Sequence, residues 1–220
     1  MGRQPRSNPL ALAVLVCLYE RPMHPYDVAQ TLRSRAKHES VKLNYGSLYA
    51  VVESLEKRGL VAARETVREG RRPERTVYEI TDLGRRETLE WMTDIVASPV
   101  KEYPQFLAAL TFIGALPPDD ALAALRQRVV ALEMNLAKLR GQRRLAADAG
   151  LPRLFALEGE YEEAMVAAEL DFVQRLVKDM ETGALEGIDM WRMFHTEAFD
   201  PDEVALNFTF GVLRGEEPED

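Results

Sequence analysis

The chain has 220 residues, 46% of them hydrophobic and 29% charged, a composition that excludes wholesale disorder and supplies apolar material for one or two cores. Cys17 is the only cysteine, which excludes an intramolecular disulfide, and no Cys/His cluster has the spacing of a structural zinc site. The formal net charge of −8 argues by itself against a nucleic-acid binder, but its distribution reverses that. Residues 1–90 carry 16 basic and 12 acidic side chains, net +4, and residues 91–220 carry 12 and 24, net −12. The local lysines and arginines govern electrostatic affinity for phosphates, so the first part is free to face them. No apolar run approaches the roughly 18 residues of a membrane span, and Leu10–Tyr19 is followed by no small-residue cleavage site. A cytoplasmic protein with no membrane partner is expected.

In chain order, Ser7, Asn8 and Pro9 read as a cap with proline at the first helical position, opening a buried helix over Leu10–Tyr19 that Pro22 ends. Tyr26, Val28, Ala29 and Leu32 predict a second, shorter helix over Pro25–Arg35. After the polar Lys37, His38 and Glu39, the stripe Tyr45, Leu48, Val51, Val52 and Leu55 predicts a third, ending at Gly59. Leu60–Val67 and Thr76–Ile80 are strand-like and bracket an arginine-rich tip, a hairpin by pattern. Thr81 caps a fourth helix through Leu83, Leu89, Trp91, Met92 and Ile95, stopped by Ser98 and Pro99. Three helices, a hairpin and a helix are the order of a winged helix-turn-helix.

The second half differs in kind. From Pro118 to about Ala147, the residues Leu122, Leu125, Val129, Leu132, Leu136 and Leu139 are spaced 3, 4, 3, 4, 3, a heptad seam. A second long helix after Pro152 carries Leu154, Leu157, Tyr161, Met165, Ala168, Phe172 and Leu176. The two are expected to pack antiparallel. Their seams together exceed what one hairpin buries, so a homodimer is expected through the heptad seam, with packing inside one subunit as the alternative. The expected fold class is mainly α, an N-terminal winged helix-turn-helix with a small β-hairpin wing followed by a long-helix antiparallel dimerisation domain. The expected domains are 1–98, 99–183 and a C-terminal extension, 184–220. Within that extension Trp191, Met193 and Phe194 suggest that 189–195 dock on the fold, and Asp200 and Pro201 could start a short helix through Val212.

Four motifs in this order resemble the PadR family of bacterial transcriptional regulators, in particular its longer members. They are Leu15–Tyr26 with Pro22, Met23, His24 and Tyr26; Gly46, Ser47, Leu48 and Tyr49; Leu55–Val61; and Gly70, Arg71, Arg72, Pro73, Arg75, Tyr78, Thr81 and Gly84. The match across the helical second half is architectural only. Three departures stand out: Arg21 and Pro25 occupy positions where the family usually has glycine, and Arg71 is an extra residue in the wing run. The resemblance implies a sequence-specific, DNA-binding transcriptional regulator, a homodimeric repressor relieved by a small hydrophobic or aromatic effector.

The residues themselves show how such a protein would touch DNA. In the third helix Leu48, Val52 and Leu55 share a narrow arc, leaving Gly46, Ala50, Glu53 and Lys57 opposite. Asn44, Tyr45, Ser47 and Tyr49 lie at the amino-terminal end, the part of a recognition helix that meets base edges and phosphates; Tyr45 and Tyr49 as packing residues are the alternative. Lys42 precedes the helix. Arg71, Arg72 and Arg75 at the hairpin tip suit phosphates or a narrow minor groove, against a merely solvated charged turn. Trp91, Tyr103, Phe106, Tyr161 and Met165 are candidates for an effector pocket, although such residues are commonly core. Cys17 reads as an inert core thiol. His24, His38 and His195 are too scattered for a metal, no cofactor is implied, and no nucleophile or paired-carboxylate pattern supports an enzyme. The rival to DNA binding is a winged-helix protein-interaction module, favoured by the acidic second half and by Glu53.

Overall fold

The computed structural model describes residues 8–37, 40–67 and 75–196 and divides into two units, Met1–Glu102 and Tyr103–Asp220. It is mainly helical, with one two-stranded antiparallel sheet among the described residues. No helix of the described residues is long and apolar enough to cross a membrane.

In the first unit, α1 (Pro9–Glu20) starts where the Asn8 side chain accepts a hydrogen bond from Leu10 N at 3.0 Å, with Pro9 at the first helical position. Leu10, Ala11, Val14, Leu15, Cys17 and Leu18 are all buried, because α2, α3, β2 and α4 surround this helix. Burial pushes the Cys17 thiol up to about 11, so it stays protonated and inert at neutral pH. The chain then runs extended through Arg21, whose φ of −165° suits any residue, and Met23 exchanges two 3.0 Å backbone hydrogen bonds with Tyr78. Pro25 opens α2 (Pro25–Ser34) directly after its cap, His24. Neither Arg21 nor Pro25 therefore stands where this backbone needs glycine.

Helix α3 (Tyr45–Lys57) buries Leu48, Val51, Val52 and Leu55 and gives way at Gly59, whose φ of +69° is the left-handed turn that favours glycine. Strands β1 (Val61–Val67) and β2 (Arg75–Ile80) pair from Val61 opposite Ile80 to Val67 opposite Arg75, with an irregularity between Ala63 and Glu65. Helix α4 (Asp82–Ala97) is held at its start by Thr81, whose hydroxyl accepts from Gly84 N at 3.0 Å and donates to the Gly59 carbonyl at 2.7 Å. A Cβ on Gly84 would lie 2.0 Å from the Leu60 carbonyl oxygen, so only glycine lets α4 approach the α3–β1 junction this closely.

The second unit opens with α5 (Gln105–Thr111) and a 3-10 turn, Ile113–Ala115, before α6 (Pro118–Asp148). A second 3-10 turn, Arg153–Phe155, leads into α7 (Leu157–Thr182), and α8 (Ile188–Phe194) follows. Helices α6 and α7 pack antiparallel, as pairs Arg126–Glu181, Gln174–Glu133 and Arg140–Glu163 show along their length. The heptad seam is filled within the chain: Leu125, Leu136 and Leu139 are buried, and Leu122, Val129 and Leu132 are partly buried against the same core as Val173, Leu176, Val177 and Met180. On α7 the expected apolar stripe is mostly not the packing face. Leu157, Tyr161, Met165 and Phe172 are exposed, as is Leu154 in the preceding 3-10 turn; of the expected stripe Leu176 packs on the core, and Leu170, Val173, Val177 and Met180 turn inward beside it. Two apolar stripes share this helix, and the periodicity of the larger side chains follows the outer one. Ile188 and Trp191 of α8 join the core, with Trp191 Nε1 donating to the Leu116 carbonyl at 2.8 Å. Residues 189–195 thus pack on the second unit, whereas the helix expected from Asp200 lies outside the described residues.

Candidate nucleic-acid interface

Helix α3 presents its amino-terminal end to solvent because the Asn44 side chain caps it, accepting from Gly46 N at 2.9 Å. The carbonyl of Asn44 is thereby committed to the backbone, which gives this residue a positioning role. Gly46, Ser47, Tyr49, Ala50, Glu53 and Lys57 are exposed, and the apolar face of the helix points into the core. Gly46 is helical, and a Cβ there would meet only the Asn44 side-chain oxygen at 3.6 Å. Nothing among the described residues therefore requires glycine at this surface position. Glu53 pairs with Lys57 at 2.8 Å, and the lysine holds its carboxyl below the ordinary range. The negative charge of this face is locally offset.

Helices α2 and α3 meet through aromatic side chains. Tyr26 stacks on Tyr45 with ring centroids 6.1 Å apart and an interplanar angle of 13°. Arg33 lies over the Tyr45 ring at 4.6 Å and also donates to its hydroxyl, and Gln30 donates to the Tyr26 hydroxyl at 2.8 Å. Tyr45 is thus partly buried packing, while Tyr49 remains 48% exposed and meets His24 edge-on at 6.2 Å. The ring of Tyr45 pins an exposed guanidinium beside the start of α3, an arrangement that presents positive charge with little residual freedom. Tyr26, Gln30 and the pairing of Arg33 with Tyr45 are not visible in the sequence, because the residues lie far apart and meet only when α2 packs on α3.

Lys42 is exposed just before α3 and makes no ion pair among the described residues. Of the expected wing arginines, Arg71 and Arg72 lie outside the described residues, and Arg75 begins β2 with only its backbone described. Arg64 on β1 stands 3.8 Å from Glu79. The candidate effector residues are divided between the two units. Trp91 is buried in the core of the first unit. Within the second unit, Phe106 is partly buried against the core beneath the Arg128 guanidinium, whereas Tyr161 and Met165 are exposed on either side of Glu163, which pairs with Arg140 of α6. Tyr103 is 81% exposed.

Residues 14–90 match the model of the Transcriptional regulator PadR-like family. None of the curated proteins gives a significant match. Among solved structures the chain is similar to Bacillus subtilis PadR in complex with operator DNA, at 18% identity over 78% of this chain and 98% of that one, with a TM-score of 0.61. It is similar to the Vibrio cholerae virulence activator AphA, at 18% identity over 79% and 98%, TM-score 0.61. A third likeness is to the PadR-like transcriptional regulator BC1756 from Bacillus cereus, at 19% identity over 79% and 99%, TM-score 0.54. These likenesses establish the fold, a winged helix-turn-helix followed by long helices. With the family match lying across α1 to α4, the chain carries a domain of the PadR-like family of transcriptional regulators.

Proposed function

We propose that the protein is a sequence-specific DNA-binding regulator that acts as a homodimeric repressor and is relieved by a small-molecule effector. The observation that carries the DNA-binding part is the outer face of α3. It combines a glycine the fold does not need, small or hydroxyl-bearing neighbours at Ser47 and Ala50, an exposed Tyr49, and the Arg33 guanidinium held alongside by Tyr45. Small side chains let a helix enter a major groove closely, and hydroxyls and guanidinium groups position phosphates. Asn44, Tyr45 and Lys42 support this face, and Arg71, Arg72 and Arg75 contribute phosphate contacts from the wing. The relative crystallised with operator DNA supports the same reading. Titration against DNA upstream of the protein's own gene at two salt concentrations tests it, with Arg72→Ala flattening the salt slope by about one unit. An unchanged slope would remove the wing from the mechanism.

The homodimer is supported by the apolar stripe that α7 leaves exposed, Leu157, Tyr161, Met165 and Phe172, which a second copy would cover. Leu122, Leu125, Val129, Leu132, Leu136 and Leu139 then serve the dimer indirectly, by holding α7 straight. Effector control is supported by the Bacillus subtilis PadR structure with p-coumaric acid. A ligand acts only through different affinities for the DNA-competent and incompetent forms, so the competing measurement is DNA affinity with and without the compound.

A further inference from the structure

Among the described residues of the acidic second half, four arginines gather around the end of α6 and the turn into α7. Arg140, Arg143, Arg144 and Arg153 line a cavity of about 400 Å³ whose remaining wall is Ala146, Ala147, Leu151, Ala156 and Glu160. Two glutamates fix the guanidinium groups and leave charge over. Arg140 and Arg143 converge on Glu163 at 3.3 and 3.1 Å through their Nε atoms, and Arg153 grips both oxygens of Glu160 at 2.9–3.0 Å. Arg144 makes no ion pair among the described residues. Four positive and two negative side chains leave a net of +2 around an opening with an apolar floor.

We propose that this cavity binds a small phosphorylated molecule, its phosphate met by Arg144 and by the outward guanidinium edges of Arg140 and Arg143, and its apolar body laid on Leu151 and the alanines. Guanidinium forks match phosphate oxygens in pairs. A single carboxylate offers these arginines no more than the glutamates already do, whereas a phosphate dianion matches the surplus charge. Ion pairing at the C-terminal end of α6 explains arginines at a helix end, but not an unpaired one facing a cavity. The volume accommodates a ring or short chain beside the phosphate.

Calorimetric titration of the full chain with phenyl phosphate, inorganic pyrophosphate and benzoate tests this. Saturable binding of phenyl phosphate is expected, weakened at least tenfold in Arg144→Ala and abolished in Arg144→Glu. Arg175→Ala, an arginine on the same unit away from the cavity, is expected to bind as the unaltered chain does. Circular dichroism of each variant establishes that the helices persist. Absence of saturable binding by either phosphate compound, or equal loss in Arg175→Ala, overturns the proposal. Benzoate binding as tightly as phenyl phosphate overturns the assignment to phosphate. The result is independent of DNA binding, which the titration does not involve.

Discussion

The two units solve the burial problem differently. The first packs three helices and strand β2 against α1, which buries Leu10, Ala11, Val14, Leu15, Cys17 and Leu18 and leaves only Val16 and Tyr19 of its larger apolar side chains exposed. The second lays two long helices against each other, which buries one stripe of each and leaves a second, flanking apolar stripe of α7 exposed. A helix buried along most of its surface is largely satisfied within its own chain, whereas a helix with a second, exposed apolar stripe has surface open to a partner. The contrast separates residues that hold the fold from residues available to a partner.

The largest expected effects test the closed unit and the inner stripe. Gly84→Ala, which places a Cβ against the Leu60 carbonyl, is expected to cost about 2–4 kcal/mol in denaturant titration. Leu136→Ala, on the buried seam, is expected to cost a similar amount, about 2–4 kcal/mol. A loss below about 1 kcal/mol at Leu136 would mean that the seam is not the intrachain core. Next, Met165→Ser with Phe172→Ser on the outer stripe is expected to change helix content little and to raise the dimer dissociation constant by about tenfold or more, read by sedimentation. A dimer unchanged by this pair would move the interface elsewhere.

Smaller effects come from glycines with free space. Gly141 lies within α6 with nothing inside 4 Å of a built Cβ, so Gly141→Ala is expected to stabilise by about 0.5–1 kcal/mol. Gly46→Ala is expected to stabilise by about 0.5 kcal/mol as well, while weakening DNA binding about tenfold by holding the helix out of the groove. The opposite signs of these two readouts at Gly46 distinguish a surface reserved for a partner from an ordinary helix position. Improved stability with unchanged DNA affinity would show that the helix does not approach a groove there.

The sequence revealed the element order because its signals are local. Asn8 and Thr81 cap helices through bonds to the next few residues, and Gly59 turns the chain by its own backbone freedom. The same locality explains what was hidden. Which stripe of α7 packs inward depends on α6, and by size alone Tyr161, Met165 and Phe172 outweigh Leu170, Val173 and Val177. At the candidate interface the exposed positions of α3 followed from helical geometry. The Tyr26–Tyr45–Arg33 stack did not, since it joins two helices with no pattern linking their residues. Gly84 shows an intermediate case: its place in a family motif was legible, and its cause, a backbone 2.0 Å from any side chain it could carry, required the fold.

The most direct test of the central claim is a titration of the unaltered chain and of Ser47→Glu against DNA upstream of the protein's own gene, at two salt concentrations, with unrelated DNA as competitor. Ser47 is exposed in the first turn of α3, where a glutamate suits the helix dipole but repels phosphate. Tight, salt-sensitive binding that survives the competitor, reduced about a hundredfold or more in a variant that remains folded, is the predicted result. Equal binding by the two proteins, or none by either at low salt, would contradict the assignment of this face to DNA and favour a protein-interaction role for the winged helix.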